Sequence, residues 1–181
     1  MIAGQENIPK NQFILTSNHE SPLDPILLML ALKKPVRFSA AGHLFRPWWK
    51  PKTWWYWLTL KLIGRTIPTG DKSMAKILQT LQKGKIVGIF PEGDVHPALK
   101  QNRIHTGAII LSQLAQIPIL PVHITGSAKF WAFPAWKIQP WHIGKIQVKI
   151  GKSFLPAKVD LADKLALQTI ADNLMKSILA L

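Results

Sequence analysis

Short apolar runs of strand length, separated by segments of helical period, constrain this chain more than anything else in it. QFILTSN (12–18), KIVGIFPEG (85–93) and IPILPVHIT (117–125) read as buried strands, and VRFSAAG (36–42) as another. IGKIQVKIG (143–151) alternates, with Ile146, Val148 and Ile150 on one face, as a half-buried strand does. Helical patterns fill the gaps. DPILLMLALKK (24–34) opens on Asp24 and closes on Lys33 and Lys34, both ends favourable to a helix dipole. DKSMAKILQTLQKGK (71–85) offers Asp71 as a cap, Met74, Ile77, Leu78 and Leu81 as an apolar stripe, and Gly84 as a stop. Residues 104–116 and 159–181 complete the set, the latter with Leu167, Ile170, Leu174, Ile178 and Leu181 at spacings of three and four. Strands alternating with helices predict an α/β domain with a central sheet. No repeat, linker or low-complexity tract divides the chain, so one domain is expected over residues 1–181.

Charge narrows the partners. The 181 residues carry 23 Lys and Arg against 9 Asp and Glu, a net charge of +14, so the surface should seek anions. Nucleic acid and anionic lipid are the two obvious kinds. Cysteine is absent, which excludes disulfides, thiolate catalysis and cysteine-based zinc sites. The six histidines are scattered, and no close His/Asp/Glu set has ligand spacing, so no metal is expected. The opening MIAGQENIPK has no apolar signal core. The longest apolar run, near PILLMLAL (25–32), falls short of the roughly 20 residues that span a bilayer. Any membrane contact is therefore expected from the surface, on the cytoplasmic side.

The segment LFRPWWKPKTWWYWLTLKLIG (44–64) bears on this choice; from Thr53 onward it reads as a helix. Trp48, Trp49, Trp54, Trp55 and Trp57 lie among Arg46, Lys50, Lys52 and Lys61. Amphipathic rings beside cations suit the headgroup layer of an anionic membrane. The plainer alternative buries several of the rings in the core. So many rings beside Pro47, Pro51 and the cations are hard to bury together, which favours the membrane.

Two short stretches could carry chemistry. In TSNHESPLDPILL (16–28), His19 precedes Asp24 by five residues with Pro22 between. A neutral imidazole can take a proton from a hydroxyl when a carboxylate holds its other nitrogen. Asp24 could equally be a helix cap and His19 a loop histidine, and spacing alone favours that plainer reading. The second stretch is FPEGDVHP (90–97), directly after a buried strand, where α/β sheets bind ligands. Pro91 stops the ladder, Glu92 places a carboxylate there, and Gly93 permits close approach of backbone. Alone, this too could be a strand-to-turn junction.

Together the two stretches resemble the glycerolipid acyltransferase family, whose best-known members are 1-acylglycerol-3-phosphate acyltransferases. His19 and Asp24 match that family's first block, HxxxxD, and FPEG at 90–93 begins its third. GRTIPTG (64–70) sits where the second block should be, and ILPV (119–122) resembles the fourth. The resemblance covers most of the chain. It implies a central mixed, mostly parallel sheet flanked by helices. It also implies transfer of a fatty acyl group from a thioester, either acyl-coenzyme A or acyl carrier protein, to a hydroxyl of a lipid acceptor. His19 would be the general base and Asp24 its orienter. No enzyme nucleophile or cofactor is needed, in keeping with the missing cysteine. Ser21 lies too close to His19 in sequence to serve readily as a nucleophile and is expected to hydrogen-bond within the turn.

The chain departs from the family where the acceptor's phosphate is gripped. Gly70 stands where the second block ends in arginine, and Asp94, Val95 and His96 where Thr-Arg-Ser follows FPEG. Thr106 stands where a lysine often precedes the glycine of the next helix. These changes remove charge-assisted bonds to a phosphate, and Asp94 adds repulsion. Arg103, His96 and His105 are the side chains that could take over. The substrate-binding set expected from sequence is thus Pro91, Glu92, Gly93, Asp94, His96 and Arg103. The expected acceptor is other than simple lysophosphatidate, such as a neutral or glycosylated lipid alcohol. Two other readings compete. A basic nucleic-acid-binding module explains the charge and tryptophans but leaves the paired motifs as coincidence, so no nucleic acid is expected. A non-catalytic lipid binder of the same fold leaves the intact His19 and Asp24 unused.

Overall fold

The computed structural model describes residues 1–41, 66–69, 73–93, 104–132, 137–138 and 145–181. Its elements in chain order are β1 (Ile2–Ala3), a 3-10 turn (Gln5–Asn7), β2 (Ile14–Ser17), α1 (Asp24–Leu32), β3 (Val36–Ala41), β4 (Thr66–Thr69), α2 (Ser73–Gln82) and β5 (Ile86–Ile89). They continue with α3 (Gly107–Ala115), β6 (Ile119–Thr125), α4 (Ser127–Phe130), β7 (Trp131–Ala132), β8 (Lys137–Ile138), β9 (Gln147–Ile150) and α5 (Lys164–Leu179). Seven strands form one sheet in the order β1-β9-β6-β2-β5-β3-β4, while β7 and β8 pair separately. Neighbours run parallel throughout the large sheet except β6 and β9, which are antiparallel. The sheet is therefore mixed and mostly parallel, as the family resemblance implies.

Alternation along the strands feeds two cores, one on each face. Phe13, Leu15, Leu120, Val122 and Ile124 pack with Leu28, Ala31 and Leu32 of α1. Their neighbours Ile14 and Ile119, with Val87, pack on the other face against Ile77 and Leu81 of α2, Ile109 and Leu111 of α3, and Leu167, Leu174 and Ile178 of α5. A parallel sheet covered on both faces needs such unbroken apolar strands. This is why β2 and β6 read as continuous runs, whereas β9, at the antiparallel side, keeps a strict exposed–buried alternation.

Most elements are shorter than the sequence patterns suggest, and side-chain hydrogen bonds explain several of the boundaries. Gln12, expected in β2, instead gives its amide to the carbonyls of Leu81 and Lys85, tying off the end of α2. Helix α1 stops at Leu32 because Lys33 turns left-handed at φ 51, so Lys33 and Lys34 lie past the last turn rather than in it. The N–H of His105 is taken by Pro91 O at 2.8 Å, and α3 starts only at Gly107. Asp163 caps α5 by accepting from Leu165 and Ala166, which sets its start five residues after the expected one. Met74 belongs to the exposed side of α2, not its stripe, while Ile77 and Leu81 are buried. Leu181 lies beyond α5. The expected helix from Thr53 and the expected cap Asp71 lie outside the described residues.

One glycine has a packing reason. Gly88, in β5, lies against the side chains of Phe38 and Val36, and a Cβ there would sit 2.4 Å from Phe38 Cε1. Replacing Gly88 with Ala forces the Phe38 ring to move, and overpacking of this kind costs about 1–3 kcal/mol. A thermal melt of G88A is expected to show the loss as a lower Tm; an unchanged Tm would mean the ring yields freely.

Candidate active site

Two strands deliver the candidate residues to one place. β2 and β5 are parallel neighbours, with Ile14 opposite Val87, Leu15 opposite Gly88 and Thr16 opposite Ile89. They end in step, so the loop carrying His19 and the turn carrying Glu92 leave the sheet side by side. β2 is also where the chain order reverses, because β5 lies on one side and β6 on the other. Such a reversal opens a crevice beyond the carboxyl ends of the strands. Asn18 fixes the departing loop. It donates to Ile124 O and accepts from Ile124 N–H, both at 2.8 Å, so the loop is pinned to β6 after the ladder stops.

His19 and Asp24 meet. His19 Nδ1 lies 2.8 Å from Asp24 Oδ2. A carboxylate can only accept, so Nδ1 is the donor, and in the neutral ring it is Nε2 that keeps the lone pair. The same Asp24 oxygen accepts the N–H groups of Glu20 at 2.7 Å and Ser21 at 2.8 Å. Asp24 is fully buried and is the first residue of α1, yet it gives the helix no side-chain cap. Its carboxylate reaches backward and closes the loop on itself. Pro25 follows at a position where a helix needs no N–H. Between the two residues, Ser21 is wholly buried, and its Oγ accepts the Leu23 N–H at 3.3 Å. It serves the turn, as the sequence reading expects. The His19 side chain is 14% exposed, whereas that of Asp24 is not exposed at all.

The FPEG turn stands against this pair. Glu92 Oε1 accepts the backbone N–H of His19 at 2.9 Å. The Phe90 ring stacks on the imidazole with centroids 3.9 Å apart and planes 11° from parallel, and Phe38 lies behind Phe90 at 5.4 Å. Pro91 is buried. Gly93 adopts φ 78, and a Cβ there would come within 2.7 Å of His105 Nε2, so the backbone it brings close is near His105. His19, Asp24, Pro91, Glu92 and Gly93 are thus gathered in one place. The sequence reading did not single out Phe90 or Asn18; Phe90 lay in plain view as the first letter of FPEG.

Asp94, His96 and Arg103 of the expected substrate-binding set lie outside the described residues, as do Trp48, Trp49, Lys50, Lys52, Trp54 and Trp55 of the expected membrane contact. Beside the site, His123 on β6 is held below the ordinary imidazole range chiefly by burial; Glu20 pulls it up and Lys149 pushes it down. It is therefore neutral at pH 7. Among the described residues, no helix is long and apolar enough to cross a membrane.

The chain belongs to the acyltransferase family: the family model described as Acyltransferase matches residues 1–125, well over half of it. Among its relatives is the 1-acyl-sn-glycerol-3-phosphate acyltransferase of Pseudomonas aeruginosa, 30% identical over 155 residues that make up 83% of this chain and 57% of that protein. Another is the probable 1-acyl-sn-glycerol-3-phosphate acyltransferase of Mycoplasma pneumoniae, 28% identical over 138 residues, 70% of this chain and 49% of that one. The chain spans about half the length of these relatives. The crystal structure of the 1-acyl-sn-glycerophosphate (LPA) acyltransferase from Thermotoga maritima superposes with a TM-score of 0.68 at 21% identity, covering 99% of this chain and 70% of that one. That likeness is one of fold.

Proposed function

We propose that this protein transfers a fatty acyl group from a thioester, acyl-coenzyme A or acyl carrier protein, to a hydroxyl of a lipid acceptor. The observation that carries the reading is the 2.8 Å contact of His19 Nδ1 with the buried Asp24 carboxylate. That contact leaves Nε2 of the neutral ring as the proton acceptor. The acceptor hydroxyl gives its proton to Nε2 as its oxygen attacks the thioester carbonyl. The tetrahedral intermediate then expels the thiolate, the C–S bond breaks, and the imidazolium returns its proton to the sulfur. No residue of the chain becomes acylated, and no cofactor is required.

The acceptor is the finer part of the proposal. The relatives are named for 1-acyl-sn-glycerol-3-phosphate, but this chain has Gly70, Asp94, Val95, His96 and Thr106 where its family places phosphate-gripping or neighbouring residues. A phosphate group without charge-assisted donors binds poorly. The proposed acceptor is therefore a neutral or glycosylated lipid alcohol, met at an anionic membrane surface to which the Trp-rich, basic segment 44–64 adheres.

A thioester-release assay tests both parts. Purified protein is given acyl-coenzyme A or acyl carrier protein, with lysophosphatidate, monoacylglycerol and a glycosylated lipid alcohol as acceptors. Transfer to a neutral acceptor faster than to lysophosphatidate is expected. Equal or faster turnover with lysophosphatidate would overturn the acceptor assignment, and no transfer to any lipid hydroxyl would overturn the activity.

A further inference from the structure

We propose that the FPEG turn is a positioning device for His19, with Glu92 holding its main chain and Phe90 holding its ring. The inference rests on the reading of His19 as the base. It adds a role for Glu92, which the sequence assigned to the substrate, and for Phe90, which it did not assign.

A general base is useful only where it stands. Three constraints converge on His19. Asp24 fixes Nδ1 at 2.8 Å. The Glu92 carboxylate takes the residue's own N–H at 2.9 Å, across 73 residues of sequence. The Phe90 ring lies flat on the imidazole at 3.9 Å, which fixes the plane in which Nε2 lies. The first constraint alone leaves the ring free to pivot about its bond to Asp24; the other two remove that freedom. The turn is itself held. Gly93 N–H donates to Phe90 O at 3.1 Å, and His105 N–H donates to Pro91 O at 2.8 Å. Phe38 backs Phe90 at 5.4 Å, in space that Gly88 leaves open. A run of contacts therefore extends from the sheet interior to the imidazole.

The bond from His19 N–H to Glu92 needs an acceptor oxygen of the right reach, not a charge. A glutamine carbonyl supplies that oxygen, and alanine does not. This separates positioning from recognition of a substrate by charge. With the best donor and acceptor of the panel above, E92A is expected to lower kcat about 10²-fold, as a misplacement of about 1 Å does, while acceptor KM stays within about twofold. E92Q is expected to restore most of kcat. E92Q as poor as E92A, or a rise in KM as the main effect, would overturn the assignment of Glu92. F90L, which keeps apolar bulk and loses the flat face, is expected to lower kcat in the same manner. Wild-type kcat in F90L would overturn the assignment of Phe90, and should E92A fail to fold, a large loss of kcat in E92Q would overturn that of Glu92.

A second readout does not pass through catalysis. The low-field proton NMR resonance of His19 Nδ1–H, identified by its absence in H19A, should stay sharp in E92Q. It should broaden or vanish in E92A and F90L as the ring loses its fixed place. An unchanged resonance in E92A and F90L overturns the proposal. Retained transfer by H19A would instead sink the base reading, and the resonance would still report whether the turn holds the ring. The two failures are thus told apart.

Discussion

H19A should lose about 10² to 10⁴-fold in kcat, the range that positioned base catalysis contributes. The fold should survive the change. Asp24 Oδ2 keeps its bonds from the Glu20 and Ser21 N–H groups, so the buried carboxylate is not left bare. Loss of one hydrogen bond to a charged group costs about 1.5–3 kcal/mol. For a chain of this size each kcal/mol lowers Tm by about 2–4 °C. The expected picture is a protein that melts a few degrees early, binds liposomes as before and transfers almost nothing. Measuring turnover, melting and liposome co-sedimentation on one preparation checks all three together. An H19A protein with wild-type kcat would remove His19 from the mechanism.

Asp24 should be costlier, because two functions meet in one oxygen. D24A leaves the His19 ring without its orienter and strips the acceptor from two backbone N–H groups, at about 1–3 kcal/mol for each buried group left unpaired. Its Tm should fall on the order of 10 °C. D24N keeps the shape and one carbonyl oxygen, so it should melt closer to the wild type. It nevertheless loses the charge that holds Nδ1–H, and kcat should fall as far as in H19A. A double variant, H19A with D24N, should be little worse in turnover than either alone, since residues acting as one unit do not add. D24N with near-normal kcat would reduce Asp24 to a loop staple.

The sequence made the plan of the sheet legible through period and length. Apolar runs too short for helices, separated by amphipathic patterns, gave the α/β class, and β2, β3, β5, β6 and β9 lie within the runs that predicted them. The N-terminal strand β1 was missed because two residues carry no period; it exists only through its pairing with β9. Strand β4 was noticed as a motif and not as a strand, its four residues interrupted by Pro68. The candidate site was half legible. Spacing brought His19 and Asp24 forward, and the resemblance promoted them over a plain helix cap. What spacing could not convey was direction. Glu92 was expected to face a substrate, yet one of its oxygens accepts the His19 N–H. Phe90 gave no polar signal, so its stack on the imidazole became visible only when β2 and β5 were seen in register.

That register has a consequence for how the protein is made. β5 lies between β2 and β3, although the chain lays down both of those strands, and β4 after them, before β5 is synthesised. Strand order in space thus runs against strand order in time. A growing chain that has not yet reached Ile86 has nothing to separate β2 from β3, and joining those two directly would shut out the strand whose end carries Phe90 and Glu92. Pairings between strands so far apart along the chain close late, after the loop entropy has been met. His19 and Asp24 are synthesised early, but the ring acquires its stacking partner and its main-chain anchor only when β5 inserts. The site needs β5 on one side of β2 and β6, which holds Asn18, on the other, so a chain lacking either pairing carries the motif without the geometry.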